Sequence, residues 1–228
     1  MNRLANSLFP IVNILGAAIA VFAVTMLAPL TVAFVRDEGA LIAYDTAFLI
    51  TFASGATLWL ATRRFRRELQ PRDGFLLVTL IWTALPAFAT LPLLLHLPGL
   101  SFTDAYFEAM SGMTTTGATV LSGLDALPAS INFWRCLLQW MGGMGILVLM
   151  VAILPMLGVG GMQLFKAEMP GPMKERKLTP RITQTAKALW LIYIGLTAAC
   201  IVALHWAGLD WFDAVCHGFS ALALGGFS

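Results

Sequence analysis

Long apolar runs divide the chain into membrane-length segments separated by short polar stretches. A helix needs about 20 apolar residues to cross a hydrocarbon core of roughly 30 Å. Five runs reach that length, at residues 8–35, 41–61, 75–95, 131–157 and 188–207. The first run is much longer than the ~7–15 apolar residues of a signal peptide, so a span is favoured over a cleaved leader. The pattern predicts an all-α integral membrane protein with five spans.

Composition supports a membrane protein and argues against a soluble one. Hydrophobic residues make up 59% of the chain and charged residues 11%, whereas roughly a quarter of an ordinary soluble domain is charged. The net charge of +2 gives little support to a nucleic-acid partner. Cys136, Cys200 and Cys216 show no pairing pattern, so we expect them to pack inside the membrane. The first partner of the chain is therefore the bilayer.

The basic residues lie almost entirely on one side of the predicted membrane. Twelve of the fourteen Lys and Arg residues fall before the first span, after the second, or between the fourth and fifth. Only Arg36 and Arg135 fall on the other side. Because cytoplasmic loops are enriched in Lys and Arg, the N-terminus is predicted to be cytoplasmic.

The segment between the third and fourth spans begins and ends outside, yet it contains a short apolar helix. Residues 104–114 reach only about 16 Å as a helix, half of the hydrocarbon thickness. Ser101 and Thr103 offer hydroxyls to cap its start. The helix is followed by a Thr- and Gly-rich stretch that favours irregular backbone. Such backbone is tolerated at this depth only where protein buries it or water lines it, so a re-entrant loop is predicted.

A second copy of this element lies 109 residues further along the chain. The shift places Asp104 on Asp213, Ser111 on Ser220 and Gly117 on Gly226. Both copies follow a span at the same outward edge and run from an Asp to a Gly. The chain is therefore predicted to contain two re-entrant loops.

The two loops have the chemistry of a filter for an alkali cation. Backbone carbonyls can replace the water shell of such an ion without adding charge, and glycine permits the backbone angles that turn them inward. The negative C-terminal ends of the short helices favour a cation at the same place. Close helix packing through small residues is the alternative, and it leaves the half-membrane length and the repeat unexplained. The predicted ligands for potassium are the backbones of Thr115, Thr116, Gly117, Ala118, Leu224, Gly225, Gly226 and Phe227.

Other polar and small residues are given structural roles. We interpret three glycines of the fourth span as positions where helices pack closely, and we favour this over a gating hinge. They are Gly142, Gly143 and Gly145. Glu108 and His217, which the repeat places in register, are expected to take part in helix packing or hydrogen bonding in preference to tuning the field at the entrance. Arg135 is expected to anchor the outer end of the fourth span.

Several motifs resemble those of TrkH-type potassium uptake proteins, in the Trk/Ktr superfamily of potassium transporters. The resemblance is specific from Phe102 onward and covers nearly the whole chain. It rests on five stretches: FEAMSGMTTTGAT at 107–119, WR at 134–135 with QWMGGMG at 139–145, LPMLGVGGMQ at 154–163, PGPMK at 170–174, and KLTPR at 177–181.

The resemblance implies helix, pore-loop, helix repeats behind a two-helix extension. Residues 1–70 would form the extension, 71–160 the first repeat, 161–186 a cytoplasmic connection, and 187–228 a second repeat that ends after its filter. The key filter glycines map to Gly117 and Gly226. Leu224 departs from the pattern, since a Thr is expected there.

The resemblance also implies potassium uptake in a bacterial inner membrane, with potassium as substrate and no cofactor. Its expected partners are a second copy of the same chain and a cytosolic nucleotide-binding Trk regulatory subunit. Channel-like passage and cation-coupled symport both stay open. A non-conducting half-pore that acts in assembly or regulation is the alternative, and a fragment of a longer transporter is the favoured interpretation. An enzyme is not expected, because HExxH, GxSxG and paired carboxylates within a span are all missing.

Overall fold

The computed structural model describes residues 3–65, 71–153 and 178–228, and all regular structure within these ranges is helical. A 3-10 turn occupies Leu124–Ala126. The α-helices are α1 Arg3–Thr25, α2 Leu27–Arg36, α3 Leu41–Thr62, α4 Pro71–Ala89, α5 Leu91–His96, α6 Phe102–Met113, α7 Ala129–Ile153, α8 Leu178–Trp206 and α9 Trp211–Leu222.

Four helical segments in the described ranges are long and apolar enough to cross a membrane. They are Leu8–Arg36, Leu41–Thr62, Arg72–His96 and Gln184–Trp206. Each agrees within a few residues with a predicted span. The remaining prediction, 131–157, corresponds to the 25-residue helix α7, although residues 154–157 lie outside the described part. The prediction of an all-α membrane protein is confirmed.

Two of these segments contain a local break that was not predicted. Met26 separates α1 from α2, and Thr90 separates α4 from α5. The second break lies between Pro86 and Pro92. Proline lacks a backbone N–H, so the regular hydrogen-bond ladder cannot continue through both positions. Apolar content alone carries no signal for such breaks.

Helix α8 begins earlier than the boundary placed between the connecting loop and the second repeat. It starts at Leu178, inside the segment 161–186 that was predicted as the connection. Residues 161–177 lie outside the described part. The other boundaries of the four predicted regions stay predictions.

The chain divides into two compact units. The first comprises Met1–Gly112 and Ala118–Arg135, and the second comprises Met113–Gly117 and Cys136–Ser228. Helix α6 and the start of α7 therefore belong to the first unit. The rest of α7 belongs to the second unit with α8 and α9.

In the first unit, α1 and α3 pack with their backbones in close approach. A Cβ on Gly16 would lie 2.7 Å from the Trp59 nitrogen, and a Cβ on Gly55 would overlap the Ala20 backbone. Near one end, Asn13 Nδ2 donates to the Trp59 carbonyl at 2.9 Å. Small residues at a helix crossing permit this kind of packing where no hydrophobic effect drives association.

The beginning of α7 is held in the first unit by four hydrogen bonds. The Glu38 carboxylate accepts the backbone N–H groups of Ala129 and Ser130 at 2.9 and 3.0 Å. A negative charge is favourable at this positive end of a helix. The buried Tyr44 hydroxyl donates to the Ser130 carbonyl at 2.9 Å, and the Trp134 indole donates to the Ala89 carbonyl at 3.1 Å.

In the second unit, Trp140 of α7 joins α8 and α9. Its indole N–H donates to Thr197 Oγ1 at 3.0 Å, and its carbonyl accepts the Tyr193 hydroxyl at 3.0 Å. Its ring stacks on Phe219 with centroids 5.0 Å apart. These contacts fix the rotation of α7 and so determine which of its faces meets the second loop.

Substitution of Gly55 by alanine tests the α1 and α3 crossing. The new methyl group meets backbone atoms that cannot rotate away, so we expect Gly55→Ala to destabilise the protein by about 1–3 kcal/mol, as overpacking does. Gly74→Ala is the matched control, because nothing lies within 4 Å of that position in α4. Thermal unfolding in detergent, monitored by tryptophan fluorescence, measures the difference in stability between the two variants. Equal unfolding temperatures for the two variants would contradict the close crossing.

Candidate functional site

The two short helices α6 and α9 are structural copies of each other. Helices α6 and α9 are both twelve residues long, and their starts at 102 and 211 and ends at 113 and 222 are each 109 residues apart. Ser101 Oγ accepts the Asp104 N–H at 3.1 Å, and Asp210 Oδ1 accepts the Asp213 N–H at 3.1 Å. The predicted Ser101 cap is confirmed, and Asp210 takes the same role in the second copy.

The loops that follow the two helices share an unusual backbone alternation. Thr115 and Gly117 have φ of 58° and 75°, and their repeat equivalents Leu224 and Gly226 have φ of 59° and 64°. Thr116 and Gly225, between them, are outside the left-handed region. A left-handed residue costs roughly 1–2 kcal/mol unless it is glycine. The fold therefore holds Thr115 and Leu224 in an unfavourable conformation at equivalent positions, as happens where a backbone has a function.

The second unit brings the two loops together. A Cβ on Gly117 would overlap the Gly225 carbonyl oxygen, and a Cβ on Gly225 would lie 2.9 Å from the Thr115 carbonyl oxygen. Only residues without side chains allow this approach of backbone to backbone. Gly117 is thus required for its conformation and for its contact with the other loop, whereas nothing lies within 4 Å of a Cβ on Gly226.

The other predicted ligands occupy varied surroundings. Phe227 is buried and its N–H donates to Ser220 Oγ at 2.8 Å. Leu224 is 92% exposed, so its side chain takes no part in packing the described loop. The Thr116 hydroxyl shares a hydrogen bond of 2.7 Å with Thr114. Ala118 is assigned to the first unit.

One face of α7 supports both loops in the second unit. A Cβ on Gly142 would overlap the Met113 carbonyl at the start of the first loop. A Cβ on Gly143 would lie 3.3 Å from Ala223 at the start of the second loop. Gln139 Oε1 accepts Ser220 Oγ at 2.8 Å and the Phe227 N–H at 3.3 Å. These three positions are spaced i, i+3 and i+4, which places them on one helix face. The packing interpretation of Gly142 and Gly143 agrees with these contacts.

In the first unit, a buried ion pair ties the chain after the first loop to α6. Arg135 Nε lies 2.7 Å from Glu108 Oε1, and their side chains are 1% and 0% exposed. The same carboxylate accepts the Thr119 hydroxyl at 2.8 Å and the Val120 N–H at 3.0 Å. The hydrogen-bonding role expected of Glu108 is therefore present. Arg135, which was expected to anchor the outer end of the fourth span, is buried and pairs with this carboxylate.

The second repeat uses the equivalent positions with different chemistry. His217 and Ser228 correspond to Glu108 and Thr119, and His217 Nδ1 lies 2.8 Å from Ser228 Oγ. In both copies a polar side chain on the short helix contacts a hydroxyl group in the segment that follows the loop. The first copy is buried and charged, whereas His217 and Ser228 are exposed in the described structure.

Sequence reasoning missed Gln139 and the pairing of Glu108 with Arg135. Glu108 and Arg135 are 27 residues apart and Gln139 and Ser220 are 81 apart, so no local periodicity links them. The available signal was a polar residue within an apolar run, since such residues in membrane segments usually have a partner.

Replacement of Arg135 by methionine tests the ion pair. Glu108 then keeps a buried charge without its cation, so we expect a loss of about 3–5 kcal/mol of stability. Arg64→Met is the matched control at an exposed arginine, with an expected change within about 0.5 kcal/mol. The double variant Glu108→Gln, Arg135→Met is expected to regain part of the loss. Unfolding in detergent measures all three, and an Arg135→Met variant as stable as Arg64→Met would exclude a structural role for the pair.

Comparisons with known proteins identify the family of the chain. The family described as "TrkH: Cation transport protein" matches residues 42–228. The Trk system potassium uptake protein TrkH of Vibrio parahaemolyticus is 55% identical over 219 residues, which cover 96% of this chain and 45% of that protein. TrkH of Escherichia coli K12 is 53% identical over the same shares.

A solved structure identifies the same family. The crystal structure of the potassium transporter TrkH from Vibrio parahaemolyticus superposes with a TM-score of 0.84 at 50% identity. The match covers 96% of this chain and 44% of that one, so the chain spans about half the length of these relatives. The chain belongs to the TrkH family of cation transport proteins.

Proposed function

We propose that the chain carries two of the selectivity-filter loops of a potassium uptake protein. The observation that carries the proposal is the shared left-handed alternation at Thr115 and Gly117 and at Leu224 and Gly226. Alternating handedness lets successive carbonyls face the same side of a strand, which a regular helix or strand does not. A ring of carbonyl oxygens is the ligand set that replaces the hydration shell of potassium.

The proposed ligands are the backbone carbonyls of the two loops. They belong to Thr115, Thr116, Gly117, Ala118, Leu224, Gly225, Gly226 and Phe227. The C-terminal ends of α6 and α9 immediately precede the loops, and their partial negative charge favours a cation there. Potassium is thus the substrate, and its passage requires neither a bound cofactor nor an enzymatic step.

The names of the relatives extend the proposal to the whole protein. They are potassium uptake proteins of a Trk system, and we propose the same activity in a bacterial inner membrane for the protein that contains this chain. The one-sided distribution of Lys and Arg supports a cytoplasmic N-terminus. A homodimer and a cytosolic nucleotide-binding Trk regulatory subunit are the proposed partners.

Growth of an uptake-deficient bacterium at low potassium tests the filter. We expect the full reading frame that encodes residues 1–228 to restore growth and its Gly117→Ala form to fail, because the methyl group overlaps the Gly225 carbonyl. Gly123→Ala is the matched control, since Gly123 also has a left-handed φ of 66° but open space around its Cβ. It is expected to restore growth.

The same experiment separates the filter from an assembly or regulatory role. Immunoblots of the membrane fraction establish that each variant is present in equal amount. Restored growth with Gly117→Ala at an unchanged protein level would refute the filter and favour a non-conducting subunit.

A further inference from the structure

Gln139 is a fully buried amide whose two ends face different surroundings. The residue is 0% exposed and lies on the face of α7 that also carries Gly142 and Gly143. Its Oε1 accepts both the Ser220 hydroxyl and the Phe227 N–H. One end of the side chain therefore attaches the second loop to α7.

The orientation of the amide follows from its neighbours. The Phe227 N–H donates to Ser220 Oγ at 2.8 Å and makes a second, longer contact of 3.3 Å with Gln139, where an oxygen can accept it and an amide nitrogen cannot. Nε2 consequently points the other way, and a Cβ on Gly225 would overlap it. A Cβ on Gly117 would lie 3.7 Å from the same nitrogen. The nitrogen end of the amide thus lies against both loops.

Nε2 has no hydrogen-bond partner among the described residues. A buried donor without an acceptor carries the full desolvation penalty of the group. A Cβ on Gly225 would meet both Nε2 and the Thr115 carbonyl oxygen, and a Cβ on Gly117 would overlap the Gly225 carbonyl oxygen. A carbonyl oxygen has two lone pairs, so it can accept an amide hydrogen and still face a cation.

We propose that Gln139 is a positioning residue that sets the separation of the two filter loops and thereby the preference for potassium over sodium. Its Oε1 attaches the second loop to α7, and its Nε2, a donor without a partner among the described residues, lies against both loops and limits how closely they approach. The proposal rests on the filter function proposed above. It assigns a role to the glutamine of the QWMGG motif that packing alone does not require, since an apolar side chain of equal length would fill the same space.

The link to selectivity is physical. Discrimination between potassium and sodium depends on the number, field and spacing of the carbonyl ligands. If the Gln139 amide is removed, the two loops can approach each other and rotate. Closer carbonyl oxygens then ligate sodium, the smaller ion, more effectively. The loss of Gln139 is therefore expected to change ion preference as well as the amount of transport.

Ion uptake by three variants of the full reading frame tests the proposal. Gln139→Met keeps the length but removes both polar ends. Gln139→Glu keeps the acceptor for Ser220 and Phe227 but loses the donor. Leu138→Ala is the control, because Leu138 is a buried neighbour on the same helix without a polar contact. The apparent KM for potassium and the ratio of potassium to sodium uptake are measured at matched protein levels.

We expect Gln139→Met to raise the KM for potassium and to lower the uptake ratio by about tenfold, the scale of one lost hydrogen bond to a buried group. Gln139→Glu is expected to accumulate less, because it buries a carboxylate without a cation. At matched protein levels it is expected to show a lowered ratio, because it lacks the Nε2 donor. If Gln139→Met cannot be recovered from membranes, Gln139→Glu decides the question. Leu138→Ala is expected to keep both the KM and the ratio of the unaltered protein.

Two results would overturn the proposal while leaving the filter intact. One is a ratio of potassium to sodium uptake that stays unchanged in Gln139→Glu and, if that variant is recovered, in Gln139→Met. The other is an equal fall in the ratio for Leu138→Ala, which would indicate a general effect of the helix core. A different result, in which the unaltered frame transports no potassium, would overturn the filter function and this proposal together.

Discussion

Irregular backbone inside a membrane needs partners for its polar groups, and the two loops that we propose to lie in the membrane have this need. A helix satisfies its own carbonyls and N–H groups, but the residues after α6 and α9 leave the helical conformation. Hydrocarbon offers them no hydrogen bonds. The N–H of Phe227 finds two side-chain acceptors, and the N–H of Val120 finds the Glu108 carboxylate. The proposed filter leaves the loop carbonyls for an ion.

The two repeats satisfy this requirement with the same backbone and different side chains. Both have a twelve-residue helix, an N-terminal cap and left-handed residues at equivalent places. Their side-chain supports have diverged, with a buried Glu108–Arg135 pair in one and a His217–Ser228 contact in the other. The geometry of the loop is thus retained, whereas the polar groups that hold it differ. This is the expected outcome if the backbone supplies the ligands and the side chains only position it.

The sequence was sufficient to predict the spans, the two half-helices and the loops. Apolar run length measures a span directly, and the Ser101 cap and the Thr- and Gly-rich stretch mark both ends of α6 by local chemistry. The break at Met26 and the start of α8 at Leu178 were missed, because hydropathy does not resolve helix continuity. The polar supports were missed for a different reason. The partners of Glu108 and Gln139 are chosen by tertiary packing, which a single sequence does not display.

The central claim is that the carbonyls of the two loops together ligate the transported cation. The most direct measurement is anomalous diffraction from crystals of the full-length protein grown with rubidium, a heavier ion that substitutes for potassium. The account predicts an anomalous peak in direct contact with backbone oxygens of the segments 115–118 and 224–227. Ordered loops with no peak between them, and rubidium bound by side chains elsewhere in the membrane, would contradict it.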